Sequence, residues 1–569
     1  MFKDNRFKDL TIGDLRKDLI AGITVGVVAI PLGMAFAIAS GVKPEYGLYT
    51  TIIAGLLVAL LGGSRFQIAG PTGAFIPILL AIVLQYGYED LLIAGFLAGI
   101  MLIFMGIFKV GNLIKFIPRS VTIGFTAGIA VIIFSGQIEN FLGLEGIVKK
   151  EYFHENMLQI IQNISTINIY SIITAVIGIL IVIFLPKLFP RVPVLLVALI
   201  IPTVLAILFF PGKVATIGTE FGGISQSFPG INMPKISLEK ILYLWQPAFV
   251  IAMLGGIESL LSAVVSDGMT GKKHHSNREL FGQGIANVIT PLFGGIPATG
   301  AIARTATNIR AGGVSPFSGI FQSIFVLLTL LLFAPYASHV PLASMAPILM
   351  VVAFNMSEYK SFWHIFKLKS GDSLVLTVTF LLTVFVNLTI AVPIGLVLAM
   401  ISFIKRMGDV LEVQKIIPDT TLFDLGDQED NYHCPQIASF TIHGPLFFGA
   451  ADRFETIITR SINSRPTVLI LKMRHVSIID VTGEANLSSL ILDFQQMGGT
   501  VLISEIENDP LEMLEMSGLS EVIGENHFFK TTTEAINFAL TLIDPDHCPI
   551  CSKNGYNKCQ TFVRMEEES

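Results

Sequence analysis

From about residue 19 to residue 406 the chain is one apolar run after another. Most of the runs are close to the roughly 17 to 25 residues that a helix needs to cross a bilayer. That pattern leaves little choice of fold. Hydrophobic residues make up 52% of the 569 and charged residues only 14%, with a mean hydropathy of +0.70, more apolar surface than a soluble core can hide. The runs divide into about 14 segments, the eighth read as residues 244–265. Residues 1–18 are a polar, basic lead-in without the small-residue cleavage pattern of a signal peptide. Residues 19–408 form the membrane domain, 409–431 a linker, 432–543 a domain of ordinary soluble composition, and 544–569 a tail.

Loop charge tests the segment count, because cytoplasmic loops collect Lys and Arg. With the N-terminus inside, four basic loops fall on the cytoplasmic side: Lys109, Lys115 and Arg119; Lys187 and Arg191; Lys272, Lys273 and Arg278; Lys360, Lys367 and Lys369. Lys149 and Lys150 fall on the other side, in a longer loop that also carries Glu145, Glu151 and Glu155. The expectation is a multi-pass protein of the cell's inner membrane with both termini cytoplasmic. Nothing in the chain looks like a nucleic-acid-binding surface.

Two segments are too short to cross. Residues 72–85 and 300–311 reach only about half to two thirds of a hydrocarbon core roughly 30 Å thick. Each follows a helix-breaking stretch, "AGPTGAF" before the first and "PATGAIARTATNIR" around the second. Irregular backbone at membrane depth is tolerated only where protein or a water-filled cavity satisfies its polar groups. By the segment count the two half-helices start near the midplane from opposite sides, the mark of a seven-plus-seven inverted repeat with the third element of each half broken. Opposed helix N-termini bring unpaired N–H groups and positive dipole ends together, which suits an anion. Gly70, Gly73 and Gly300 are expected to let backbone approach a ligand, with Ala74 and Ala301 beside them; Thr72 and Thr299 are expected to cap the helices or face the substrate. Tight helix packing is the competing explanation for such small residues.

Charges inside the apolar runs are few. Arg304 lies four residues after Gly300, on the same face of the half-helix, where its fixed charge favours a carboxylate or oxyanion; it also suits a structural role toward a helix carbonyl or Glu258. Glu258 sits alone in "IAMLGGIESLLSAVV", where a carboxyl is costly when charged and tolerable when neutral, which suggests a proton-coupling group. Ser262, one turn on, is placed to bond that carboxyl, to complete a cation site, or to bond its own helix.

The stretch "AGITVGVVAIPLGMAFAIASGVKPEYGLYT" (21–50), the two half-helix motifs and the C-terminal domain together resemble the sulfate permease family of anion transporters, from about residue 10 to 543. The resemblance implies a core of segments 1 to 4 and 8 to 11, a gate of 5 to 7 and 12 to 14, an elevator-like motion and a homodimer. It also implies that Phe36 lines the substrate pocket. Sulfate, bicarbonate and C4-dicarboxylates are the implied substrates. Sodium-coupled bicarbonate members carry Asp and Thr where this chain has Glu258 and Ser262, so a proton is the expected coupling ion and sodium the alternative, with anion exchange a further one.

Residues 432–543 read independently as α/β and resemble the STAS fold, the anti-sigma-factor antagonist fold. "IIDVTG" places Asp480, Thr482 and Gly483 where soluble antagonists are phosphorylated, so Thr482 is a candidate phosphosite or a plain helix N-cap. A cytoplasmic protein partner for this domain is a further expectation. In the tail, His547, Cys548, Cys551 and Cys559 make half a zinc pattern, and no metal or other cofactor is assigned. No nucleophile, base and orienting group cluster together, which argues against an enzyme. A membrane anion sensor signalling through the C-terminal domain is the competing function.

Overall fold

The structure, a computed structural model, describes residues 5–7, 10–112, 118–189, 192–226, 230–231, 234–386, 388–409, 411–416, 436–447, 458 and 466–544. It divides into residues 1–399 and 400–569. Fourteen segments follow the sequence reading. They are α1 (Ile12–Ala39), α2 (Pro44–Leu61), α3 (Ile76–Tyr86), α4 (Tyr88–Ile107), α5 (Arg119–Gly136), α6 (Ile169–Leu188) and α7 (Val194–Phe209) in the first half. The second half holds α8 (Leu238–Thr270), α9 (Ser276–Ile289), α10 (Ile302–Arg310), α11 (Phe317–Ala337), α12 (Leu342–Met356), α13 (Gly371–Phe385) and α14 (Leu388–Asp409). Nine spans among the described residues are long and apolar enough to cross a membrane. The eighth is longer than residues 244–265. Ser237 caps its start by accepting from the Lys240 N–H, and Gly271, at φ +71°, closes its end.

Packing repeats at an interval of seven. Helix α1 packs on α11 as α8 does on α4; α2 packs on α11 as α9 does on α4; α5 packs on α13 as α12 does on α6. Each pair is the other with both members advanced by seven, which is the inverted repeat written in contacts. The same packing sorts α1–α4 with α8–α11 and α5–α7 with α12 and α13, and Ala399 places α14 with the second group by packing on Val121 and Val375. Close approach within the first group depends on glycine: a Cβ on Gly47 would overlap the backbone carbonyl of Gly33, so α1 and α2 meet nearly backbone to backbone.

The second unit holds a five-stranded sheet in the order β3 (Glu412–Ile416), β4 (Ile437–His443), β5 (Val468–His475), β6 (Thr500–Ser504), β7 (Phe528–Phe529), numbered after two short strands of the membrane domain. β3 runs antiparallel to β4 and the others are parallel. Alternation along the strands feeds two faces. Phe440, Leu469, Leu471 and Ile503 pack with Leu487 and Ile491 of α15 (Val481–Gln496), while Val468, Ile470 and Leu502 pack with Ala535 and Ala539 of α16 (Thr532–Thr541). The linker reading of 409–431 is therefore corrected at its start. Glu412–Ile416 is a sheet strand, missed because an edge strand with one polar side chain in two carries little hydrophobic signal.

Candidate functional site

The two helix-breaking stretches meet. β1 (Ala69–Gly70) and β2 (Thr299–Gly300) pair antiparallel, Ala69 opposite Gly300 and Gly70 opposite Thr299, and the Ala301 N–H donates to the Ile68 carbonyl at 2.8 Å. Pairing answers the problem of irregular backbone at membrane depth by letting each stretch satisfy the other. Because the strands are antiparallel, α3 and α10 leave the crossing in opposite directions with their N-termini together.

A polar stripe on α8 anchors the crossing. Gly255, Ser259 and Ser262 lie on one helix face at the i, i+4, i+7 spacing. The Thr299 hydroxyl donates to the Gly255 carbonyl (2.8 Å), the Gly300 N–H donates to Ser259 Oγ (3.1 Å), and the Ser262 hydroxyl donates to Thr305 Oγ1 (3.2 Å). Thr305 in turn accepts from the Ile68 N–H, and Gln67 Nε2 donates to the Ser259 carbonyl. Three expectations are corrected here. Thr299 does not cap α10 and its hydroxyl is bonded to α8, Ser262 bonds Thr305 rather than Glu258, and Gly300 makes room for the Gln67 side chain, which a Cβ would overlap. Gln67 and Thr305 were missed as site-building residues because single polar side chains beside a breaker carry no periodic signal.

The remaining candidates line a cavity of about 900 Å³: Phe36, Thr72, Gly73, Ala74, Ala301, Arg304 and Glu258. Thr72 does not cap its helix; its hydroxyl donates to Glu258 Oε2 at 2.9 Å. Arg304 is 2% exposed. Its Nη2 donates to the Pro71 carbonyl, and its Nη1 is buried with no hydrogen-bond partner among the described residues. Gly70 makes room for that guanidinium, since a Cβ there would stand 2.6 Å from Nη1. A Cβ on Gly73 would meet only ordinary contacts, 3.5 Å from Ile133 and Met356 and 3.7 Å from Phe36, so a methyl group fits there while anything larger would press on the cavity wall.

The opposite wall comes from the second helix group. Thr122 and Thr126 of α5 and Asn355 of α12 face the cavity, which reaches Glu358 just beyond α12. These polar positions escaped the sequence reading because each is a lone hydroxyl or amide inside an apolar run. Glu258, Arg304 and Glu358 are thus the charged residues that line the cavity, and Arg304 has an unused donor.

In the second unit Thr482 is exposed on the first turn of α15, and the N-cap is Asp480, whose Oδ1 accepts from the Gly483 N–H at 2.8 Å. The N-cap alternative for Thr482 is thereby corrected. His547, Cys548, Cys551 and Cys559 lie outside the described residues.

Residues 15–379 match the sulfate permease family and residues 430–535 match the STAS domain. The chain belongs to the sulfate permease family. It is 53% identical over 524 residues to YvdB of Bacillus subtilis (strain 168), covering 92% of this chain and 98% of that protein. It is 31% identical over 464 residues to the bicarbonate transporter BicA of Picosynechococcus sp. (strain ATCC 27264 / PCC 7002 / PR-6), covering 77% and 80% respectively. The murine Solute Carrier 26 family member A9 anion transporter, solved in the inward-facing state, shares its fold with a TM-score of 0.82 at 20% identity, over 95% of this chain and 93% of that one. This family member is a multi-pass membrane anion transporter and not an enzyme.

Proposed function

We propose that the chain is a proton-coupled symporter of a small anion, sulfate, bicarbonate or a C4-dicarboxylate, working by an elevator-like motion of the α1–α4/α8–α11 core against the α5–α7/α12–α14 gate. The observation that carries this reading is the unpartnered Arg304 Nη1, buried in a cavity wall where the N-termini of two half-helices converge. A buried guanidinium with a spare donor calls for an acceptor, and a carboxylate or other oxyanion provides one. Phe36, Thr72, Gly73, Ala74 and Ala301 would complete the pocket, with Gly300 and Thr299 supporting it from behind.

Glu258 is assigned the coupling proton. An arriving anion adds a negative charge beside a carboxyl in the middle of an apolar helix, so neutralising that carboxyl is the less costly state of the loaded carrier. The protein is assigned to the inner membrane as a homodimer, with both termini and the STAS domain in the cytoplasm, where Thr482 is accessible to a kinase or a protein partner. Uptake into proteoliposomes with imposed gradients tests the coupling. Concentrative uptake of one of these anions driven by inward-directed protons at zero sodium is expected. Accumulation driven by sodium at equal pH, and not by protons, overturns the proton assignment; no uptake of any of the anions overturns transport in favour of a sensor.

A further inference from the structure

The basic residues Lys360, Lys367 and Lys369 follow the end of α12. The structure gives them a shape. Helix α12 ends at Met356, Glu358 adopts a left-handed backbone (φ +43°), and a nine-residue helix, Tyr359–Lys367, follows before α13 begins at Gly371. A left-handed residue at this point breaks the axis of the span and redirects the chain. Leu342–Lys367 taken together is apolar enough for one span, but this break takes the short helix off the axis of α12, and its lysines belong at the boundary of the apolar domain.

Its three faces differ in kind. Phe362 and Ile365 face inward, half-buried, and the Phe362 ring meets Phe380 of α13 edge-on at 5.2 Å. Tyr359, Trp363 and Phe366, at i, i+4, i+7, form an outer aromatic stripe that is 45%, 54% and 41% exposed. Lys360, His364 and Lys367, at the same spacing one residue on, form an exposed cationic stripe that Lys369 extends. Nearby acids do not neutralise it. Glu358 lies 3.8 Å from Arg119, Asp372 already has a partner, and among the described residues none of the three lysines pairs with an acid.

We propose that Tyr359–Lys367 is a docking surface for the anionic phospholipid headgroups of the bilayer. Exposed aromatic rings beside lysines are mismatched to water on one side and to hydrocarbon on the other; the interface satisfies both, with rings at the headgroup–acyl boundary and ammonium groups on the phosphodiesters. Charge complementarity selects the occupant, because a cationic stripe gains attraction to phosphatidylglycerol that it does not gain to zwitterionic phosphatidylcholine. The helix is covalently joined to the cavity wall at Glu358, so headgroup binding would brace the end of α12. This surface is independent of the substrate and coupling ion assigned above.

Trp363 is one of two tryptophans, so Trp245→Phe in the full-length chain leaves it as the sole reporter. That protein is reconstituted into equimolar phosphatidylcholine and phosphatidylglycerol, with bromine carried on the acyl chains of one lipid or the other. Trp363 emission should be quenched at least about twofold more when phosphatidylglycerol carries the bromine, the local enrichment expected of an unpaired lysine cluster. The preference should vanish in K360Q/K367Q/K369Q and shrink at about 1 M salt, where screening acts within about 3 Å. Equal quenching from both lipids in the unsubstituted helix, no quenching by either, or a preference that survives both the triple substitution and high salt overturns the proposal. The salt arm needs no variant, so a failure of the triple variant to fold leaves the test intact.

Discussion

Arg304 carries the sharpest expectation, because one of its nitrogens is committed to the Pro71 carbonyl and the other is not. Removing it deletes a charge-assisted hydrogen bond to substrate, about 1.5–3 kcal/mol, so Arg304→Ala should weaken anion affinity by at least about tenfold in an equilibrium binding assay. Glu258→Gln mimics the neutral acid and keeps an oxygen to accept from Thr72; binding should survive and proton-driven accumulation should fail, measured as uptake with and without a pH gradient. Gly73→Ala should be tolerated, since its Cβ would make only ordinary contacts with Ile133, Met356 and Phe36, whereas the bulk of Gly73→Leu should block transport in an uptake assay, because Phe36 and Met356 also line the cavity. Outside the membrane, burial alone would raise Glu505, yet hydrogen bonds from Thr532 and the ammonium of Lys472 overcome it and hold the carboxyl below the ordinary range. A depressed folded value stabilises above the unfolded carboxylate pKa, about 4.3, and that contribution is lost as pH falls through the lower folded value. Glu505→Gln should therefore lower the melting temperature of the STAS domain near neutral pH and change it little in strong acid.

At the scale of elements, the half-helices hang from a ladder two residues long, and its weak point is Gly300. Gly300→Ala should destabilise the core by about 1–3 kcal/mol through overlap with Gln67, and Gly300→Ala with Gln67→Ala should recover part of that loss, read as melting temperature in detergent. A purely additive double variant would contradict the contact. Much of this architecture was legible in the sequence. Apolar run length located the 14 segments, and two runs too short to cross, each after a breaker, located the half-helices. Pairing of β1 with β2 was not legible, because two residues carry no alternation. The partners of Ser262 and Thr299 were hidden for a related reason: hydroxyls inside an apolar helix look alike until tertiary packing selects a neighbour. Tyr359–Lys367 read as a basic loop because nine residues flanked by longer spans leave little periodicity to detect.

For the whole molecule, every residue assigned to the substrate lies between Phe36 and Arg304, and none belongs to the STAS domain. Truncation after Asp409 should leave substrate Kd within about twofold, within reach of roughly 0.4 kcal/mol, while lowering transport or yield; saturation binding to purified truncated protein is the measurement. Two-fold repetition of the packing, at an interval of seven segments, also implies that neither half encloses a site alone. The strand pair makes that dependence temporal. Ala69 is synthesised more than two hundred residues before Gly300, its ladder partner. At about 5–20 residues per second, the first breaker waits roughly ten to fifty seconds inside the insertion machinery with its backbone groups unmatched. Slowing translation between the codons for residues 90 and 290 should therefore reduce the yield of inserted protein, and the same delay placed after residue 310 should not.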